Sequence, residues 1–129
     1  MNLGIDVHGV IDRYPDIFSN MSNTIVANGG QVHIITGSSE TDDIKDHLRD
    51  IGIIWTDFFS ISDQLIYEGH QPDYDKDGNI WFDNELWDPM KGHYCNMFEI
   101  DLHFDDTSRY SQYFSTPFVL WPSGPKSWT

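Results

Sequence analysis

The sequence predicts an α/β fold, a three-layer α/β/α sandwich with a mainly parallel sheet and a small β-hairpin insertion. Short apolar runs alternate with helix-like segments through the first half of the chain, which is typical of a parallel sheet with right-handed crossovers. A turn-rich stretch interrupts the second half, and two more apolar runs follow it. We expect one domain over residues 1–122, with the insertion at about 63–90, and a C-terminal tail over 123–129.

The first strand and helix are predicted from an apolar run and a proline. Residues 3–7 form a short apolar run that contains Asp6, which indicates a buried strand. A helix is expected from Pro15, because proline suits the first helical position, and Gly29–Gly30 ends it as a C-cap signal. Its apolar side chains at helical spacing are Ile17, Phe18, Met21, Ile25 and Val26.

A second strand and helix repeat the pattern. Residues 32–35 form the strand, and Thr36 follows it. Ser39 or Thr41 is expected to cap the next helix, whose acidic first turn the helix dipole favours. Its first-turn acids are Glu40, Asp42 and Asp43, and its buried stripe is Ile44, Leu48 and Ile51. Residues 53–61 are predicted as the third strand.

The second half is predicted to hold the insertion and the last strands. Residues 64–67 and 79–82 have the composition of two short strands, joined by turn-forming residues at 72–78. A helix is expected over 89–97, and strands over 100–104 and 117–121. An aromatic group here is interpreted either as core packing or as a stacking platform for a base or sugar. Its members are Trp81, Phe82 and Trp87.

Composition narrows the class of function. The chain carries 21 acidic and 7 basic residues, a formal charge of -14, which disfavours nucleic acid and anionic lipid as partners. A small phosphorylated substrate remains compatible with this charge, because a bound divalent cation inverts the local field. Cys95 is the only cysteine, so no internal disulfide is expected. With no signal peptide and no run of about 18 apolar residues, we expect a cytoplasmic protein outside the membrane.

Acidic and hydroxyl residues follow three of the predicted strands. Asp6, Thr36 and the pair Asp105–Asp106 stand where apolar runs end. The carboxyl ends of parallel strands lie along one edge of a sheet, where ligands bind. Carboxylates with a hydroxyl form a hard oxygen site suited to Mg²⁺, and a carboxylate can attack a phosphoryl group. Lys91 is the candidate ammonium to stabilise the charge of that group.

Four segments resemble the motifs of the haloacid dehalogenase-like superfamily. The family's first motif usually reads Asp-x-Asp-Gly-Thr/Val, and its second is an apolar strand that ends in Thr or Ser. Lysine is its third motif, and an apolar strand that ends in two acids is its fourth. The corresponding segments are GIDVHGVIDRYP at 4–15, VHIITGSS at 32–39, Lys91, and LHFDDT at 102–107. DHLRDIGIIWTDFFSISD at 46–63 is similar to the stretch between the second and third motifs, so the resemblance runs over about 3–120.

The resemblance implies a Rossmann-like sheet and a Mg²⁺-dependent phosphatase. Asp6 would be the nucleophile and a metal ligand, and the backbone carbonyl of His8 a second ligand. Asp105 would bind Mg²⁺ directly, and Asp106 directly or through water. Lys91 would steady the nucleophile and the phosphate. The phosphoryl group would be bound by Thr36 and by the backbone amides that follow it, at Gly37 and Ser38.

Two departures from the family pattern bear on activity. His8 stands where these phosphatases usually carry a second aspartate, as general acid and base. Imidazole can do this proton transfer, because its ordinary pKa is near 6.5. The chain also has no room for a full cap domain, so we expect an open site, covered at most by residues 67–87.

Other interpretations stay open at this point. A protein of the same fold that is catalytically weak or inactive would bind a phosphorylated ligand or partner. A calcium-stabilised binding module would use Asp73, Asp75 and Asp77, which resemble the front of an EF-hand loop, although residue 84 is Asn rather than Glu. Taken singly, the site residues could also be ordinary loop, surface and cap residues. Cys95 and the remaining histidines are expected to be structural or exposed. These histidines are His33, His47, His70, His93 and His103.

Overall fold

The computed structural model describes residues 1–122, so the predicted tail at 123–129 lies outside the described residues. The strands are β1 (Asn2–Ile5), β2 (Gln31–Thr36), β3 (Asp57–Ser60), β4 (Asp73–Tyr74), β5 (Ile80–Trp81), β6 (Leu102–Asp105) and β7 (Phe118–Leu120). Five of them form one sheet in the order β3-β2-β1-β6-β7, with every pair parallel. β4 and β5 form a separate antiparallel pair. The α/β class, the parallel sheet and a small hairpin are therefore confirmed.

Within residues 1–122, five α-helices accompany the strands. They are α1 (Pro15–Ala27), α2 (Asp42–Asp50), α3 (Ile61–Tyr67), α4 (Asn84–Trp87) and α5 (Met90–Met97). An irregular helical turn spans Val7–Ile11, and a 3₁₀ helix spans Ser108–Tyr113. Pro15 is the first residue of α1, as predicted. Thr41, rather than Ser39, caps α2, because its hydroxyl accepts the backbone N–H of Ile44.

The predicted strands at 53–61 and 64–67 are wrong in part. The third strand begins only at Asp57, and the chain from Ile61 to Tyr67 is a helix. The hydroxyl of Ser60 accepts the N–H of Asp63 and caps this helix. Ile61 and Leu65, four residues apart, are both buried on one side of it. The cap and this i, i+4 pair outweigh the strand preference of the β-branched and aromatic residues nearby.

The hairpin is shorter than predicted and is displaced along the chain. Its first strand lies within residues that the sequence predicted as the turn. Asp75 organises the actual turn, because its carboxylate accepts the backbone N–H groups of Asp77 and Asn79. Phe82 packs in a core cluster with Ile61, whereas Trp81 is exposed. The aromatic group is thus divided between core and surface.

Hydrophobic clusters cover both faces of the sheet. Neighbouring residues of β2 belong to different clusters, because side chains alternate across a strand. Ile34 packs in a cluster that includes Phe18 of α1 and Leu48 of α2. Ile35 packs in a second cluster with Cys95 of α5. None of the helices within residues 1–122 is long and apolar enough to cross a bilayer.

Candidate active site

Polar residues from three parallel strands meet at one edge of the sheet. Asp6 follows β1, Thr36 ends β2 and Asp105 ends β6. These strands are neighbours in the order β2-β1-β6, and the chain passes from one side of β1 to the other here. This is the position at which parallel sheets bind ligands. The edge opens into a cleft of about 570 Å³. The predicted site residues that line it are Asp6, His8, Thr36, Gly37, Ser38, Lys91 and Asp106.

Lys91 links two carboxylates beneath the cleft. Its Nζ atom lies 3.0 Å from Oδ1 of Asp6 and 2.7 Å from Oδ2 of Asp105. The lysine comes from α5, some distance along the chain from both acids, and only 2% of it is exposed. Asp106 completes the group, since one carboxylate oxygen from each of the three aspartates lies within 4.8 Å of the others. These residues are therefore brought together as the sequence predicted.

Burial and charge shift the pKa values of this group in different directions. Burial raises the pKa of Asp6 to about 7, and the attraction of Lys91 offsets it only in part. Burial also acts to lower the pKa of Lys91, but the two aspartates outweigh it and raise that pKa above its ordinary value. Lys91 is therefore held in its charged form, while burial disfavours the ionised form of the Asp6 carboxylate.

Asp105 is the most deeply buried acid of the group and does not line the cleft. Its Oδ2 lies 2.9 Å from Nε2 of His103, in addition to the bond from Lys91. Its Oδ1 accepts the backbone N–H of Thr107. Burial would raise the pKa of Asp105, but His103 and Lys91 together lower it to about 2. Asp105 is thus a fixed negative charge beneath the cleft.

His103 is a site residue that the sequence analysis placed among the structural histidines. It is fully buried, and burial lowers its pKa despite the hydrogen bond to Asp105. One feature of the sequence pointed to it. His103 and Asp105 stand two apart on β6, so they share a face of the sheet. Gly4, opposite His103 on β1, leaves the space for the ring, because a Cβ there would lie 2.8 Å from Nδ1.

The side chain of His8 is held at the rim of the cleft. Its Nδ1 lies 2.8 Å from Oδ2 of Asp12, and its Nε2 lies 3.0 Å from the hydroxyl of Ser38. The other oxygen of Asp12, Oδ1, lies 3.0 Å from Nε2 of His47 on α2. His47 and Asp12 were not predicted as site residues, because nothing in their spacing indicates this contact.

The loop after β2 presents small and hydroxyl residues to the cleft. The hydroxyl of Thr36 accepts the backbone N–H of Ser38, which folds the loop back on the strand end. The carbonyl of Gly37 accepts the hydroxyl of Ser62. A Cβ on Gly37 would lie 2.4 Å from the ring of Trp87, so glycine is required for this packing. The loop can offer hydroxyl and backbone groups to an anion.

Aromatic residues and the hairpin form the far wall of the cleft. The indole N–H of Trp87 donates to the hydroxyl of Tyr110 at 2.8 Å. The ring of Tyr110 lies 5.3 Å from Nζ of Lys91. The hairpin contributes residues 78–80 to the same wall. Trp87 belonged to the aromatic group noted in the sequence, whereas Tyr110 gave no signal of its own.

The proposed calcium loop is organised differently from the aspartate group at the cleft. Within residues 1–122, the group of acids close enough to share one ion is Asp6, Asp105 and Asp106. Asp75 uses its carboxylate to accept hydrogen bonds within the hairpin turn, and these bonds lower its pKa. The hairpin therefore accounts for this carboxylate without an ion.

Comparison with known proteins does not extend this description. The chain matches no protein-family model, no curated protein and no solved structure. The resemblance to the haloacid dehalogenase-like superfamily therefore rests on the sequence motifs and stays a prediction.

Proposed function

We propose that this protein is a Mg²⁺-dependent phosphatase that hydrolyses a small phosphate monoester through an aspartyl-phosphate on Asp6. One observation carries the proposal: three aspartates converge at the carboxyl ends of parallel strands, with a buried lysine bridging two of them. A nucleophilic carboxylate, a divalent cation and a fixed ammonium are the groups that phosphoryl transfer through a phospho-enzyme requires. We further propose that the chain is a small, minimally capped member of the haloacid dehalogenase-like superfamily.

The donor set of the site fits Mg²⁺. Carboxylate oxygens are its preferred protein ligands. Three carboxylates face one ammonium, so the site carries an excess of formal negative charge. Burial is the largest cause of the raised pKa of Asp6 and the charges of Asp105 and Asp106 add to it, so a nearby cation would favour the ionised carboxylate. Asp6, Asp105, Asp106 and the backbone carbonyl of His8 would hold the ion. Once bound, Mg²⁺ would reduce the repulsion between the nucleophile and an anionic phosphoryl group.

The first half-reaction assigns a role to each cleft residue. The carboxylate of Asp6 attacks phosphorus, the bond from phosphorus to the ester oxygen breaks, and His8 gives a proton to the departing oxygen. Lys91 holds Asp6 in place and attracts the charge of the phosphoryl oxygens. Thr36 and the amides of the loop after it donate hydrogen bonds to the same oxygens.

The second half-reaction returns the enzyme to its starting state. Water attacks phosphorus, and the bond from phosphorus to Asp6 breaks. His8, now neutral, takes the proton from that water. Inorganic phosphate leaves with the oxygen of the water molecule.

We also infer the arrangement of the layers and the kind of substrate. The clusters on the two faces of the sheet include side chains of α1 and α2 on one face and of α5 on the other, which supports a three-layer α/β/α sandwich. The net charge of -14 favours a small phosphorylated substrate over nucleic acid. The size of the cleft leaves space beside a phosphoryl group for an ester substituent.

The test is phosphate release from a panel of phosphate monoesters with and without Mg²⁺, for the parent and for Asp6→Asn. We expect release that requires Mg²⁺ and falls by at least about 10³-fold in the variant, because Asn cannot form the acyl phosphate. Asp16→Asn removes the same charge from an exposed position on α1. It is the matched control and should retain the parent rate. Equal turnover by Asp6→Asn would sink the proposal.

A second candidate is a protein of this fold that binds a phosphorylated ligand without turning it over. Two observations favour it: His8 occupies the usual position of the proton-transfer aspartate, and the pKa of Asp6 is raised to about 7. His8→Asp separates the candidates. If the parent binds Mg²⁺ through Asp106 but releases no phosphate, and His8→Asp releases it, the protein acts by binding.

A further inference from the structure

Asp12 connects two histidines at the rim of the cleft. Its Oδ2 lies 2.8 Å from Nδ1 of His8, and its Oδ1 lies 3.0 Å from Nε2 of His47. His8 and Asp12 are four residues apart on the turn after β1, whereas His47 comes from α2. We call His8, Asp12 and His47 the rim triad.

The contacts of Asp12 determine which nitrogen of His8 carries hydrogen. A carboxylate can only accept hydrogen bonds, so Nδ1 of His8 must be the donor to Asp12. In the neutral ring, Nε2 then carries the free lone pair. Nε2 is the nitrogen that meets the hydroxyl of Ser38, a residue of the cleft wall. Asp12 therefore turns the reactive nitrogen of His8 toward the cleft.

The rim triad is not explained by the stability of the fold. The side chains of His8, Asp12 and His47 are 62%, 34% and 52% exposed. Contacts of this kind between exposed side chains stabilise a protein little. The arrangement has a clear chemical consequence, by contrast, since an aspartate behind a histidine selects its tautomer and orientation.

We propose that Asp12 is a positioning residue that holds His8 as the Nδ1–H tautomer with Nε2 presented to the cleft, and that His47 holds Asp12 in place. Its consequence for catalysis rests on the proposed phosphatase function, in which His8 exchanges a proton with the ester oxygen and with water. The tautomer itself does not depend on that function.

The tautomer is measured by long-range ¹H–¹⁵N spectra of the imidazole rings of the protein alone, at about pH 9, where an ordinary histidine is neutral. A His8→Gln variant assigns the His8 signals among the six histidines. We expect the Nδ1–H tautomer of His8 in the parent and in the exposed control Asp16→Ala, and its loss in Asp12→Ala. A mixture of tautomers in the parent, or the same tautomer in Asp12→Ala, would overturn the proposal.

Steady-state kinetics with an aryl phosphate and Mg²⁺ test the consequence for catalysis. We expect Asp12→Ala to lower kcat by about 10- to 100-fold with KM changed by less than about twofold, because proton transfer is affected rather than binding. His47→Gln keeps an N–H donor and should retain most of the activity that His47→Ala loses. Unchanged kcat in Asp12→Ala would contradict this role. Absence of turnover in the parent would instead refute the proposed phosphatase function. The tautomer measurement would still decide whether Asp12 positions His8.

Discussion

The floor and the rim of the cleft use the same kinds of side chain in opposite surroundings. The floor consists of four buried residues, Asp6, Lys91, His103 and Asp105. The rim triad of His8, Asp12 and His47 is largely in water. Similar distances therefore have different energetic consequences, because an unpaired charge is costly only where water cannot reach it. Substitutions in the floor should therefore affect both the stability of the fold and the site, whereas substitutions in the rim should affect only reactivity.

The largest effect on stability is expected for Lys91→Met. The change leaves the carboxylates of Asp6 and Asp105 buried beside each other without their cation. Breaking a buried pair in this way costs about 3–5 kcal/mol. Urea unfolding at neutral pH without Mg²⁺ measures it. Lys45→Met removes a partly exposed pair with Glu40 and is the control, expected to cost less than about 1 kcal/mol. Similar losses in both variants would contradict the distinction between floor and surface.

The neighbouring aspartates Asp105 and Asp106 should differ in what they contribute. Asp105→Asn removes the charge that Lys91 and His103 both contact, and we expect it to destabilise the fold by about 2–3 kcal/mol. Asp106→Asn, which alters a residue of the cleft wall, should change stability by less than about 1 kcal/mol and weaken Mg²⁺ binding at least about tenfold. The Mg²⁺-dependent rise in Tm measures the binding. Equal effects of the two variants on unfolding would show that burial of the aspartate does not set its contribution to stability.

A buried histidine outside the cleft extends the comparison to pH. His33 contacts Tyr94 and Gln31. Burial lowers its pKa below 6.5, with Asp57 opposing the shift. The unfolded chain therefore binds the proton first as the pH falls. The contribution of His33 to the free energy of unfolding should be constant above about pH 6.5. Below that pH it should fall by up to about 1 kcal/mol per pH unit. His33→Gln should show a smaller loss between about pH 6.5 and 5 in urea unfolding. An unchanged slope would assign the loss to other groups, such as His103.

The smallest effect on stability is expected for the rim. Asp12→Ala and His47→Ala should each change the free energy of unfolding by less than about 1 kcal/mol, since both side chains are exposed. Chemical denaturation under the conditions used for Lys91→Met provides the measurement. A loss above about 2 kcal/mol would show that the rim triad supports the fold, and its proposed role would then need the tautomer measurement to stand.

Local patterns were sufficient for much of the fold. Pro15 and the apolar spacing after it predicted α1, and a cap at Ser39 or Thr41 with the acids beside it predicted α2. Local patterns failed for the chain from Ile61 to Tyr67, where they predicted a strand. The same side chains form a helix there, because Ser60 caps it and Leu65 is buried. The turn of the hairpin was also misplaced, since several residues there favour a turn and the hydrogen bonds to Asp75 select one of them.

The order of apolar runs and polar residues along the chain was enough to predict the parallel sheet and the convergence of Asp6, Thr36, Asp105 and Asp106, whereas Lys91 was predicted from the need for an ammonium and from the family resemblance. Parallel strands necessarily place their carboxyl ends at one edge, so position along the chain becomes position in space. Which side chains stand behind these residues depended on the tertiary structure. His103 reaches Asp105 because Gly4 leaves space for its ring, and His47 reaches Asp12 from a different helix. The spacing of two along β6 places His103 and Asp105 on one face, whereas the contact from His47 depends on the distance between two elements, about which periodicity within one element carries no information.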